Sequence, residues 1–188
     1  SPMPAFPGFD LYSEFLPRHH YAGAALRQGR LPLWDPTQAA GLPFVATWQA
    51  GFFYPPNFVY GLLPTSLAMG VLARFHIFLC GVFTWLLARE LKLSSSAAML
   101  AAVTYMLCGS TVFMVYHTCA INSVPWLPAA LLYAWRLGRQ PKMTTAVALA
   151  SVLALQFLTG RDFVVVMTLD AVALLTLFQV GMRLRGAA

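Results

Sequence analysis

Residues 67–87 read LAMGVLARFHIFLCGVFTWLL and carry one Lys, Arg, Asp or Glu, the arginine at position 74. An α-helix of this length rises roughly 30 Å, which matches the thickness of the hydrocarbon core of a bilayer. Four more apolar stretches follow, over residues 95–115, 121–135, 144–159 and 163–180. We therefore predict an all-α membrane protein in which residues 67–188 form a bundle of about five transmembrane helices.

The overall composition agrees with a membrane protein. Of the 188 residues, 59% are apolar and 10% are charged, too few polar groups to cover the surface of a water-soluble domain. The formal charge of +6 would suggest nucleic acid as the partner of a soluble protein. In a membrane protein the same charge follows from basic loops on the cytoplasmic side. Membrane lipids are therefore expected partners and nucleic acid is not.

The basic residues recur after alternate apolar stretches. They are Arg89 and Lys92 after the first, Arg136, Arg139 and Lys142 after the third, and Arg183 and Arg185 after the fifth. These ends are predicted to be cytoplasmic, which puts residues 1–66 on the outer side of a multi-pass protein. The chain opens at Ser1 without an initiator methionine or a signal-peptide profile, so we expect a fragment of a larger protein.

Residues 1–66 form a separate, proline-rich segment that is too polar to span. Apolar residues recur at roughly helical spacing over residues 11–26, as in an interfacial amphipathic helix that Gly29 would end. Aromatic side chains typical of the headgroup zone follow, namely Trp34, Trp48, Phe52, Phe53 and Tyr54. We predict an outer loop segment that lies along the membrane.

Several short motifs of this chain follow one another in a recognisable order. They are GRLPLWDP at residues 29–36, AAGLPF at 39–44, QAGFFYPPN at 49–57, RFH at 74–76, AREL at 88–91, CGS at 108–110 and PWLP at 125–128. This order resembles the YfhO-like bacterial membrane proteins of the glycosyltransferase C (GT-C) superfamily, whose members are longer. The resemblance implies that the chain is a fragment of a larger GT-C-like fold.

The same resemblance implies an enzyme of the bacterial cytoplasmic (inner) membrane. Such a glycosyltransferase moves a sugar from a polyprenyl-phosphate donor to a cell-envelope acceptor on the outer side. In GT-C enzymes an acidic residue of the first outer loop acts as catalytic base or metal ligand, and Asp10 stands at the matching place. Asp10 is therefore the expected catalytic residue, and a divalent metal is the cofactor that it could bind.

Transfer from a lipid phosphate also needs positive charge to stabilise the departing phosphate. We expect the substrate-binding residues to be Glu14, Arg18, His20, Arg74 and His117. From the residues alone, Asp10 and Glu14 stand four apart and could share a metal or a proton on one helix face. The alternative is that Asp10 caps the helix and Glu14 is a solvated first-turn acid. For the cations, the alternative is general attraction to anionic headgroups.

Arg74 and Asp170 are predicted to lie at similar depth in the first and fifth spans. Charges there are costly unless they are paired or face a polar cavity, so the two are expected to be partners or to line a substrate cavity. A second function class follows from the latter. In a non-enzymatic membrane transporter or lipid-binding or assembly module, Arg74, His76 and Asp170 would line a path near the middle of the membrane.

Overall fold

The computed structural model describes residues 9–38 and 40–186. Over these residues the chain is helical, with one isolated antiparallel bridge between Asp35 and Leu42 and no strand. The α-helices are α1 (Leu16–Arg27), α2 (Thr65–Glu90), α3 (Ser95–Leu107), α4 (Gly109–Phe113), α5 (Thr118–Ser123), α6 (Trp126–Arg139), α7 (Met143–Leu158) and α8 (Asp162–Gly186). A π-helical turn, Leu11–Phe15, precedes α1, and 3-10 helices occupy Phe44–Ala46, Trp48–Ala50, Pro55–Gly61 and Met114–Tyr116. The all-α prediction is confirmed.

Within residues 9–38 and 40–186, three helical segments are long and apolar enough to cross a membrane. They are Thr65–Glu90, Ser95–Tyr116 and Asp162–Arg185, which contain the first, second and fifth predicted spans. Helix α7 lies at the fourth predicted span and is apolar, but its 16 residues are fewer than a perpendicular crossing needs. The structure thus supports a membrane protein with three candidate spans, and the number five stays a prediction.

The third predicted span, residues 121–135, is divided between two helices. Helix α5 ends at Ser123 and α6 begins at Trp126, with Pro125 between them. Proline has no backbone N–H to donate, so an uninterrupted helical ladder cannot run through this position. The second span has a similar break at Cys108, where an extended backbone (ψ 149°) separates α3 from α4.

Helix α6 lies at the centre of the bundle. It contacts α2, α7 and α8, while α2 also packs along α3. Small residues allow the close approach: Ala129 and Ala130 of α6 are fully buried, and a Cβ at Gly81 of α2 would collide with Met106 of α3. In lipid, helix association depends on such close packing rather than on a hydrophobic drive.

A buried chain of hydrogen bonds ties the N-terminal segment to this bundle. The Tyr54 hydroxyl donates to His76 Nε2 over 2.7 Å, and His76 Nδ1 donates to the Leu72 carbonyl over 2.7 Å. Trp126 Nε1 in turn donates to the Tyr54 oxygen over 3.2 Å. A carbonyl only accepts, so Nδ1 carries the imidazole proton and Nε2 is the acceptor. Tyr54, predicted at the headgroup layer, is instead fully buried between α2 and α6.

Helix α1 packs on the segment that leads into α2. A Cβ at Gly23 would collide with the Tyr60 carbonyl, so glycine lets the two backbones touch. Arg27 Nη1 donates to the same carbonyl over 3.0 Å. The buried side of the helical segment consists of Phe15, His19, Ala22 and Ala25. The predicted helix is therefore present, but its inner face rests on protein and includes a histidine.

We expect Tyr54→Phe to lower the free energy of unfolding by about 1–3 kcal/mol, since it leaves His76 Nε2 and Trp126 Nε1 buried without this partner. Thermal unfolding of the purified protein in detergent measures the loss. Tyr12→Phe is the matched control, because Tyr12 is 63% exposed. Equal unfolding temperatures for the two variants would contradict a stabilising role for the buried hydrogen bonds of Tyr54.

Candidate functional site

The acidic residue that the sequence singled out lies against a histidine far along the chain. Asp10 Oδ2 is 3.0 Å from His117 Nε2, and both side chains keep contact with solvent, 49% exposed for Asp10 and 25% for His117. Asp10 has helical backbone angles and makes no side-chain capping bond. The alternative reading of Asp10 as a helix cap is therefore wrong, and its carboxylate is directed to the imidazole.

The surroundings of His117 fix its position. Its backbone N–H donates to the Met114 carbonyl, and its own carbonyl accepts from the first turn of α5. The rings of Phe15 and Phe113 flank the imidazole, with centroids 6.0 and 6.2 Å away. A histidine oriented by a carboxylate in this way can take a proton at its other nitrogen, because the carboxylate stabilises the imidazolium that forms.

One turn further along the helix, Glu14 pairs with Arg18 rather than with Asp10. Glu14 Oε2 lies 3.2 Å from Arg18 Nη1, and the same nitrogen reaches Gln49 Oε1 at 3.5 Å. The Arg18 side chain is only 14% exposed, and its Nε is buried without a hydrogen-bond partner among the described residues. Arg18 is therefore a mostly buried cation whose Nη1 contacts Glu14 and Gln49.

His19 is held in the neutral form at the base of this cluster. Its Nε2 lies 2.8 Å from the Thr118 hydroxyl, and its ring stacks on Tyr60 at 4.2 Å between centroids. Burial, with a smaller contribution from neighbouring Arg18, lowers the pKa of His19 to about 3. An uncharged imidazole cannot serve as a cationic contact for phosphate, so His19 acts as a support that links α1 to α5.

A cavity of about 280 Å³ opens beside the cluster, and its wall is mostly apolar. It lies between the N-terminal helical segment, α2 and α5. The lining residues are Leu11, Tyr12, Leu16, Tyr60, Ser66, Met69, Gly70, Leu72, Ala73, Val115, Thr118, Ile121 and Asn122. Leu11 and Thr118 are the chain neighbours of Asp10 and His117, which do not themselves line the cavity.

The Arg74 side chain lies next to a residue of the cavity wall. A Cβ at Gly70, which lines the cavity, would lie 3.3 Å from Arg74 Nη1, so the guanidinium folds back over Gly70. Arg74 and Asp170 are both exposed on the surfaces of their helices, and no ion pair joins them within residues 9–38 and 40–186. The expected Arg74–Asp170 pairing is therefore absent from the described structure.

None of the five expected substrate-binding residues is in the wall of the first cavity. His20 Nδ1 is 3.4 Å from the Thr65 hydroxyl, and His20 lines a separate cavity together with Arg27. Asp10, Glu14, Arg18, His117 and Arg74 each lie within two chain positions of a residue in the wall of the first cavity. Two participants carried no sequence signal, Thr118 and Gln49, because each acts through a contact between distant parts of the chain.

Within residues 9–38 and 40–186, no group of three or more His, Cys, Asp or Glu side chains is arranged to hold a metal ion. A metal at Asp10 would have to share or displace the His117 contact. The cofactor expectation stays a prediction.

We expect the stability of the protein to fall as the pH is lowered below about 6.5. His19 stays neutral in the folded state and gains a proton only when the chain unfolds, so the unfolded state binds more protons in this range. Stability is fully present above the unfolded pKa of 6.5 and is lost progressively towards pH 3. The loss from this group is about 2 kcal/mol at pH 5.

Thermal unfolding in detergent between pH 8 and 5 measures this dependence. His19→Gln should be less stable than the wild type at neutral pH, but its stability should decline less steeply as the pH falls. His20→Gln changes the exposed neighbour and should lose stability with falling pH as the wild type does. An unchanged slope in His19→Gln would contradict the assignment.

Comparison with models of known protein families, with curated proteins and with solved structures finds no match to this chain. The likeness to YfhO-like proteins therefore rests on the order of short motifs, and the chemistry of the site rests on its geometry.

Proposed function

We propose that this protein is a membrane glycosyltransferase of the GT-C type, which transfers a sugar from a polyprenyl-phosphate donor to a cell-envelope acceptor on the outer side of the bacterial cytoplasmic membrane. The observation that carries the proposal is the Asp10–His117 contact next to an apolar cavity. These two residues, Arg18 and Arg74 do not line the cavity, but each lies within two chain positions of a residue that does. Such a site suits a ligand with a hydrocarbon chain and an anionic head.

The reaction needs a proton acceptor for the hydroxyl that attacks the sugar. The Asp10–His117 pair supplies it, since both side chains reach solvent and the carboxylate stabilises a protonated imidazole. The hydroxyl oxygen forms a bond to the anomeric carbon while the bond from that carbon to the phosphate oxygen breaks. The leaving phosphate keeps the electron pair, and the proton of the hydroxyl ends on the pair.

The departing phosphate needs positive charge that is not already neutralised. Arg74 makes no ion pair within the described chain, whereas Arg18 is shared with Glu14. Arg74 is therefore the stronger candidate for the phosphate, and Arg18 offers its remaining donors from the other side. The apolar wall of the cavity would receive the first part of the polyprenyl chain.

The alternative is a lipid-binding or assembly module, or a transporter, without transfer chemistry. The same cavity would hold a lipid, which favours the lipid-binding version. A transport path along His76 has less support, because both ring nitrogens of His76 are engaged by Tyr54 and Leu72. Arg74 and Asp170 are also exposed on separate helices rather than facing one internal path.

We expect Asp10→Asn to lower sugar transfer about 100-fold or more, because it removes the group that orients and stabilises the protonated imidazole. The measurement is transfer of labelled sugar from polyprenyl-phosphate carriers by the full-length protein in membranes, at matched expression. His117→Gln should give a loss of the same order. A divalent-metal chelator added in parallel tests whether Asp10 also acts through a metal.

Asp162→Asn is the matched control. It makes the same chemical change at an exposed carboxylate that caps α8 through the Phe163 N–H, a bond that an asparagine oxygen can also accept. Full activity in Asp10→Asn would remove Asp10 from the mechanism. A wild-type protein that binds the carrier lipid but transfers no sugar would favour the lipid-binding module.

A further inference from the structure

A second, polar cavity lies at the opposite end of the bundle. It has a volume of about 390 Å³ and is formed where α2 ends and α6 turns into α7. Its lining residues are Glu90, Lys92, Arg136, Arg139, Gln140, Lys142 and Thr145. None of these residues takes part in the site described above, so this cavity needs its own explanation.

The charge of this basic cavity is strongly unbalanced. Four of its lining side chains are cationic and one is anionic. The single carboxylate, Glu90, accepts from Arg136 Nε over 2.7 Å. Within the described chain, the other three cations make no ion pair, and Arg139 instead lies over the Trp135 ring, 5.9 Å from its centroid. Three positive groups thus face one cavity without a counter-charge.

The backbone holds these three cations in place. Lys92 has a positive φ of 65° at the end of α2, where its N–H donates to the Arg89 carbonyl and the next N–H donates to Ala88. Lys142 lies immediately before α7, and its carbonyl accepts the N–H groups of Thr145 and Ala146. Only Gln140, Pro141 and Lys142 separate α6 from α7. The three side chains therefore extend from ordered helix ends around one cavity.

The position of the cavity indicates the kind of ligand. Candidate spanning helix α2 ends here, so the cavity is at the level of the phospholipid headgroups. Clustered Lys and Arg between helices at this level suit phosphate, which accepts several charge-assisted hydrogen bonds at once. A neutral headgroup would leave the net charge of the cavity uncompensated.

We propose that the basic cavity binds a phosphate group, supplied either by an anionic phospholipid headgroup or by a soluble phosphate compound. Lys92, Arg139 and Lys142 contact the phosphate oxygens, and Arg136 stays with Glu90 as the wall. Binding weakens with rising salt, since the attraction is electrostatic and partly exposed to solvent.

The test is a titration of the purified full-length protein in neutral detergent, followed by tryptophan fluorescence because Trp135 lies under Arg139. The lipid arm uses phosphatidylglycerol, with phosphatidylcholine as the neutral lipid. The soluble arm uses inorganic phosphate and glycerol 3-phosphate. We expect saturable binding of at least one phosphate probe and none of phosphatidylcholine, and the arm that binds identifies the source.

The double variant Arg139→Gln and Lys142→Gln should raise the Kd about tenfold or more. Arg89→Gln with Arg185→Gln is the matched control, because it removes two cations from the same end of the bundle but outside the cavity. If the double variant does not fold, Lys142→Gln alone replaces it in the titration, because this change leaves the backbone capping of α7 intact. Absence of binding by every probe, or equal weakening in the two double variants, would overturn the proposal.

Discussion

The buried bond between the Tyr54 hydroxyl and the His76 imidazole is the contact on which the rest of the arrangement depends. The bond places Tyr54, a residue of the N-terminal segment, inside the helical bundle. It also gives the buried His76 Nε2 a hydrogen-bond partner, and leaving that nitrogen unpaired would cost free energy. Trp126 joins the same oxygen from α6, so one hydroxyl connects the loop with two helices. The N-terminal segment around Tyr54 is thereby part of the bundle rather than a covering on it.

The cavity of the candidate site follows from this anchoring. With Tyr54 fixed, the 3-10 helix Pro55–Gly61 runs out of the bundle to the start of α2, and α1 packs along it through Gly23 and Tyr60. Asn57 and Asn122 continue the polar contacts towards α5 over 3.1 Å. His19 and Thr118 complete the connection. The groove left between these elements is the apolar cavity, with Asp10 and His117 brought together across 107 positions of the chain.

The sequence predicted the helical class and three of the spans, because long apolar stretches have few alternatives in a membrane. Motif resemblance drew attention to Asp10 and His117, and the need for positive charge near a phosphate drew attention to Arg18; their role as site residues stays a prediction. The sequence could not predict their pairing. Tertiary packing produces the Asp10–His117 contact, the neutral state of His19 and the burial of Tyr54. The local periodicity of the sequence carries no information about such packing. The apolar stretch over residues 121–135 predicted one span, whereas Pro125 interrupts the helix between α5 and α6.

The π-helical turn Leu11–Phe15 has a consequence for how such a site could be gained or lost. Its widened turn, with the Leu16 N–H bonded to the Leu11 carbonyl, accommodates one residue more than an α-helical turn would. Loss of a single codon here would restore ordinary α-helical winding and rotate Asp10 by about 100° relative to α1. Asp10 would then turn away from His117, while Gly23 and Arg27 would keep their contacts with the Tyr60 carbonyl. A one-residue deletion would thus remove the Asp10–His117 contact in one evolutionary step and leave the packing of α1 in place.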